Sequence, residues 1–242
     1  NRRLQEIFSI DTENLRLYES YCESWAEMWN LIIISFLSVN RKSEIDEMIA
    51  RFEMMLQCEV LFSMYQAHKI LANAGVTYNK LGQLEKAVQS FEKALSIESD
   101  YADAFNNLGV ALKKLGQLDE AINSYKNALN TKPDYLEVLY SLGLTFEELG
   151  SLDEAVESYI KAIEINSDLP AIYNNLGNTY KKMGLLENAV ISYKKALIIN
   201  PNFLESLNNL GITYRDLGQL SDAIKTFKKA IYFSFMVVKL IN

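Results

Sequence analysis

Between residues 68 and 235 apolar positions recur at spacings of three and four, and glycine breaks the pattern at fixed intervals. Phe105, Leu108 and Leu112 form one stripe, Gly116 interrupts, and Leu118, Ala121, Ile122, Tyr125 and Leu129 form the next. Such a pattern predicts two amphipathic helices joined by a tight turn. All ten glycines follow one rule: five pairs, seven residues apart within a pair and 34 apart between pairs. With Gly75 taken as position 8, the internal repeat divides into units 68–101, 102–135, 136–169, 170–203 and 204–237. Position 20 is then always alanine (Ala87, Ala121, Ala155, Ala189, Ala223), as is position 27 (Ala94, Ala128, Ala162, Ala196, Ala230). Position 24 is always aromatic (Phe91, Tyr125, Tyr159, Tyr193, Phe227).

The second glycine of each pair, such as Gly116, suits a left-handed turn, where the absence of a Cβ is an advantage. Acidic residues (Glu85, Asp119, Asp153, Glu187) open the second helix and lysines (Lys93, Lys126, Lys161, Lys195, Lys229) come late in it, which predicts that both ends complement the helix dipole. The first glycine of each pair (Gly75, Gly109, Gly143, Gly177, Gly211) lies inside a helix, where it costs about 1 kcal/mol relative to alanine. A cost repeated in every unit predicts close packing. The glycine is expected to face an alanine of the partner helix, with position 24 and the apolar residues at 4, 7 and 11 filling the space around it. One hairpin cannot bury its own stripe, so the units must stack.

The sequence order of Leu-Gly, Tyr, Gly, Ala, aromatic, Ala and Pro resembles the tetratricopeptide repeat (TPR) over about 68–235. Departures are small: position 32 is proline only at Pro133 and Pro201, with Ser99, Ser167 and Phe235 elsewhere, and position 7 of the first unit is Ala74. The resemblance implies an all-α fold, a right-handed α-solenoid of five TPR helix hairpins, with the first helix of each pair lining a concave wall at positions 2, 5, 6, 9, 12 and 13. Position 6 reads Asn73, Asn107, Ser141, Asn175 and Asn209; position 5 adds Asn106, Asn174 and Asn208, and position 9 adds Asn178. An asparagine amide offers both a donor and an acceptor, so such a ladder suits a peptide backbone whatever its side chains. It is similar to the asparagine ladder in the TPR arm of O-linked N-acetylglucosamine transferases. The carboxylate clamp of chaperone-binding TPR proteins is missing, because it needs a lysine at position 5 with an asparagine at position 9 of one repeat, and the first repeat has Ala72 and Val76 and the fourth Asn174 and Asn178. Positions 12 and 13 carry Asn79, Lys80, Lys113, Lys114, Lys181, Lys182 and Arg215, with Glu147 and Glu148 between them, a mixture read as solvated helix ends or as a face for a mixed-charge ligand.

Composition narrows the function. Against 24 basic residues stand 31 acidic ones, so the chain has no positive excess to hold nucleic acid or an anionic membrane. Cys22 and Cys58 are the only cysteines and His68 the only histidine, which excludes a disulfide framework and any site needing two histidines, and favours a reducing, cytoplasmic compartment. No metal or other cofactor is expected. No two glycines are closer than seven residues, so no phosphate-binding loop is present. The expectation is a non-enzymatic scaffold that binds a peptide or protein segment on the concave surface. Its rival is the substrate-recruiting arm of a larger glycosyltransferase or sulfotransferase.

The flanks differ from the repeats. Residues 1–67 hold no glycine, both tryptophans and both cysteines. Leu15, Tyr18, Cys22, Trp25, Trp29, Ile32, Phe36 and Val39 form a heptad seam, and a second stripe follows Ser43, predicting a helical hairpin or a short dimerising coiled coil. The apolar run from Met28 to Val39 is shorter than the roughly 20 residues a bilayer needs. At the other end, residues 236–242 form an apolar tail, read as a run-on of the last helix, as a segment tucked against the fifth repeat or as a surface for self-association.

Overall fold

The computed structural model describes residues 66–241, with side chains up to Ser234. The predicted N-terminal helical segment and its heptad seam lie outside the described residues. The helices are α1 (66–80), α2 (Leu84–Ile97), α3 (Ala102–Lys114), α4 (Leu118–Thr131), α5 (Leu136–Leu149), α6 (Leu152–Ile165), α7 (Pro170–Lys182), α8 (Leu186–Ile199), α9 (Leu204–Asp216) and α10 (Leu220–Ile241). No strand occurs among the described residues. A unit boundary falls between Ala74 and Gly75, inside α1, and the packing described below is that of the unit beginning at Gly75.

Each first helix packs on the second helix of its own repeat, and each second helix packs on the first helix that follows, so α2 to α10 form an α-solenoid of helix hairpins. Every hairpin turn closes in the same way. Gly116 adopts φ +78°, its N–H bonds the Lys113 carbonyl at 2.9 Å, and the Gln117 N–H reaches back to the Leu112 carbonyl at 3.0 Å. Gly150, at φ +86°, is matched by a bond from the Ser151 N–H to the Phe146 carbonyl at 2.9 Å. This is the Schellman arrangement, which satisfies carbonyls left over at a helix end. The second helices then start without side-chain caps, and acidic residues such as Asp119, Glu120, Asp153 and Glu154 occupy the first turn.

Two sequence expectations need correction. The in-helix glycine faces the aromatic ring at position 24, not an alanine. A Cβ on Gly143 would lie 2.6 Å from Cε1 of Tyr159, and Gly109 and Gly177 meet Tyr125 and Tyr193 at the same distance. The ring lies against bare backbone, and the alanines at positions 20 and 27, from Ala87 and Ala94 to Ala223 and Ala230, are buried around it. Periodicity identified the small residues but not which neighbour fills the gap. Nor do the late lysines complement the dipole, because α2, α4, α6 and α8 carry no basic residue in the last turn. Lys126 and Lys195 instead sit 5.9 and 5.8 Å from the ring centres of Phe146 and Tyr173, and Lys161 pairs with Glu157 at 2.7 Å.

Helix α10 is the exception in length. The earlier second helices end at Ile97, Thr131, Ile165 and Ile199, whereas α10 passes the equivalent Phe233 and continues to Ile241. The last helix therefore runs on, and the position that holds Pro133 and Pro201 in two other repeats holds Phe235, which does not break a helix.

Candidate functional site

Where one first helix meets the next, residues at positions 5, 6 and 9 form hydrogen bonds between repeats. Asn175 Nδ2 donates to the Tyr140 hydroxyl at 2.8 Å, joining position 6 of the fourth repeat to position 5 of the third. One repeat further on, Asn209 Nδ2 donates to Asn174 Oδ1 at 3.2 Å and to Asn178 Oδ1 at 3.0 Å. The Ser206 hydroxyl donates to the same Asn174 oxygen at 2.9 Å, and the Tyr193 hydroxyl donates to Asn178 Oδ1 at 2.8 Å. Asn174, Asn178 and Asn209 are thus one network, held from beneath by the ring that presses on Gly177.

The other asparagines of the expected ladder stand apart from that network. Asn107 Nδ2 turns back to the Asp103 carbonyl of its own helix at 2.9 Å. Asn106 is buried and its Oδ1 has no hydrogen-bond partner. Asn73 and Asn208 are exposed, and Ser141 is half-buried with its carbonyl accepting from the Thr145 hydroxyl. Sequence reasoning missed Ser206 and Tyr140, whose roles arise between repeats, and the hydroxyls of Tyr159 and Tyr193, which bond from the second helix to the first helix of their own repeat.

The charges at positions 12 and 13 also act between repeats. Lys113 pairs with Glu148 at 3.5 Å, Lys182 with Glu147 at 2.7 Å and Lys181 with Asp216 at 3.5 Å, while Lys114 Nζ donates to Asn79 Oδ1 at 2.8 Å. In each case position 12 of one repeat meets position 13 of the next, 35 residues later. The mixed signs are therefore spent largely inside the array. That spacing was readable in the sequence as alternating complementary pairs. Glu147 is the most enclosed member, its side chain only 12% exposed, and it also accepts from the Tyr159 hydroxyl at 3.2 Å. Burial, then the Glu147 carboxylate, push the Tyr159 hydroxyl far above its ordinary value. The hydrogen bond from Arg215 holds the exposed Asp216 carboxyl below the usual range.

Together these rungs border an open cleft of about 440 Å³ lined by Glu147, Asn178, Lys181, Lys182 and Asn209. Within it Asn178 Oδ1 and Asn209 Nδ2 are taken by the network, leaving Asn178 Nδ2 as a donor and Asn209 Oδ1 as an acceptor. Among the described residues no cluster of three or more His, Cys, Asp or Glu is placed to hold a metal ion, and His68 is buried. No helix among them is long and apolar enough to cross a membrane.

Models of the tetratricopeptide repeat match residues 75–116, 111–150 and 146–184, then 170–203 and 192–225. The chain belongs to the tetratricopeptide repeat family. It is a repeat scaffold of the protein-interaction type, built as the hairpins above require. No curated protein matches it. Among solved structures, MamA is similar at 25% identity and TM-score 0.68, over 72% of this chain and 95% of that one. A MamA fragment from Desulfovibrio magneticus RS-1 shares 18% identity at TM-score 0.66, over 70% of this chain and 96% of its own. YrrB, described as "a TPR protein with an unusual peptide-binding site", shares 22% identity at TM-score 0.60, over 67% of this chain and 84% of that one. These last two likenesses bear on the fold alone.

Proposed function

We propose that the chain is a non-enzymatic scaffold that holds an extended segment of another protein on the first-helix face, centred on the cleft of the third to fifth repeats. The observation that carries the reading is the pairing of Asn178 Nδ2, a free donor, with Asn209 Oδ1, a free acceptor, in one cleft. A peptide unit presents one acceptor and one donor, so the two amides answer it without regard to side chain. The bonds that fix Asn178 and Asn209 also orient them before a ligand arrives, which lowers the ordering cost of binding. Lys181 and Lys182 supply charges that are already partly neutralised by Asp216 and Glu147, so they favour neither a polyanion nor a polycation. With two cysteines and no positive excess, we place this function in the cytoplasm, with protein rather than nucleic acid or membrane as partner.

The test selects peptides from a random phage-displayed library on the full chain and measures their affinity by fluorescence anisotropy. Position 9 is Val76, Val110, Leu144 and Ile212 in the other repeats, so Asn178→Leu suits the fold while deleting the donor. Binding is expected to weaken at least ten-fold with a cooperative thermal transition retained. Peptides that bind Asn178→Leu as tightly as the parent chain would reject the site.

A further inference from the structure

At three junctions position 11 of the following repeat is an aromatic ring: Phe146, Tyr180 and Tyr214. At two of them a lysine at position 25 of the preceding repeat covers the ring, Lys126 at 5.9 Å from the centre of Phe146 and Lys194 at 5.6 Å from that of Tyr214. At the junction between them position 25 is Ile160, and among the described residues no cation lies over Tyr180. A groove of about 280 Å³ opens there, between α6, α7 and α8.

Two more departures from the repeat meet in the same groove. Position 22 is Gln89, Asn123, Glu157 and Lys225 elsewhere but Ile191 here, and position 29 is Ser96, Asn130, Ile198 and Tyr232 elsewhere but Glu164 here. Ile160 and Ile191 are 41% and 56% exposed, so the groove has aliphatic rims in place of polar ones. Helix α6 carries Asp153, Glu154, Glu157 and Glu164 against Lys161 alone, which makes its side of the groove negative. Seven residues before Tyr180 along α7, Tyr173 already has its cation, Lys195 at 5.8 Å.

We infer that this groove is a docking site for a basic amphipathic helix of a partner protein, which seats a lysine or arginine over Tyr180 with its aliphatic stem between Ile160 and Ile191. The neighbouring junctions supply the template, since Lys126 and Lys194 make the same contact within the chain. A furrow between two helices accepts a third as ridge into groove. The carboxylates of α6 favour a basic partner over an acidic one. Repeats stand on both sides of the groove, and any further repeat stacks on an end of the array, so the stack itself leaves the groove open. The surface shares no residue with the first-helix cleft.

The probe is a fluorescein-labelled helical peptide of about 14 residues, a leucine stripe flanked by lysines, titrated with the full chain and followed by anisotropy. Saturable binding is expected, and a counterpart with glutamate in place of lysine should bind about ten-fold more weakly. Ile160→Lys restores the lysine that position 25 holds in the second, fourth and fifth repeats, so it suits the fold; by covering Tyr180 it should weaken binding about ten-fold or more. Ile198→Lys adds the same charge outside the groove and should change affinity by less than about two-fold. Tyr180→Leu, matching Leu112 at that position of the second repeat, should cost about two- to five-fold, the scale of an exposed cation-ring contact. Absence of saturable binding, the result if residues 1–65 of the chain fill the groove, overturns the proposal. Equal losses for Ile160→Lys and Ile198→Lys overturn it too, as does a dimer in sedimentation that Ile160→Lys dissolves, which would assign the groove to a second copy. Peptides selected for the first-helix cleft should bind Ile160→Lys as tightly as the parent chain, so the two sites fail or stand separately.

Discussion

The junction between the second and third repeats and the junction between the fourth and fifth are built on the same backbone plan and filled with different polar groups. Each buries an asparagine at position 5, Asn106 in one and Asn174 in the other. Asn174 Oδ1 receives donors from Ser206 and Asn209, positions 3 and 6 of the following repeat. At the earlier junction those positions are Val138 and Ser141, one without a donor and the other too short to reach, and Asn106 Oδ1 has no partner. The ring hydroxyls repeat the contrast. Tyr193 donates to Asn178 at position 9 of its own repeat, whereas Tyr125 has Val110 at that place and its buried hydroxyl, near Ser141 and Thr145, reaches no partner in hydrogen-bond geometry. A side chain's contribution to the stack is thus decided by its partners, in the next repeat for Asn174 and in its own for Tyr193, because a buried polar atom is worth only what its partner makes of it.

The contrast breaks most visibly at position 5. Asn174→Leu should destabilise the chain by about 1 to 3 kcal/mol, since it strands the Ser206 hydroxyl and one Asn209 donor hydrogen, while Asn106→Leu should cost less than about 1 kcal/mol because it removes an acceptor that is already alone. Urea denaturation of both variants reads the difference. Next in size is the ring pair. Tyr193→Phe should cost about 1 kcal/mol, and Tyr125→Phe should be neutral or stabilising; Phe91 and Phe227 show that this position accepts the bare ring. Equal losses in thermal melts of the two would contradict the contrast. A repair sharpens it: Ser141→Asn places at the earlier junction the amide that Asn209 supplies at the later one, with an expected gain of about 0.5 to 1 kcal/mol.

A further effect is alkaline. Burial pushes the Tyr125 hydroxyl from 10.0 up to about 12, and burial likewise raises those of Tyr159 and Tyr193. Above pH 10 the unfolded chain loses these protons while the folded chain keeps them, so it is the native state that binds more protons and stability must fall as pH rises from 10 toward 12. Melting temperature should decline over that window, and less steeply in Tyr125→Phe.

Local pattern carried the hairpins, because Gly116 and its equivalents mark the turns and the in-helix glycines mark close contact. It misassigned the contact itself. Which large group lies on Gly143 depends on the crossing of two helices, and a one-dimensional period counts the residues without pairing them. The lysines late in the second helices were legible as charges, but the ring under Lys126 lies in the next repeat and that under Lys195 in another helix. The asparagine ladder was legible as composition only. Asn106 and Asn174 are the same letter at the same position, and their fates diverge through Val138 and Ser206. Complementary signs 35 residues apart, as in Lys113 with Glu148 and Glu147 with Lys182, carried the information for the charged rungs.

The central claim is that a bound peptide engages the amides left free on the first-helix face. Side-chain NH2 resonances of the full chain, assigned by NMR and followed during addition of a library-selected peptide, test it most directly. Asn178 and Asn209 should shift together and saturate, with the buried Asn174 moving less and the exposed Asn188 of α8 staying in place. Shifts at Asn188 with Asn178 and Asn209 unmoved would contradict it.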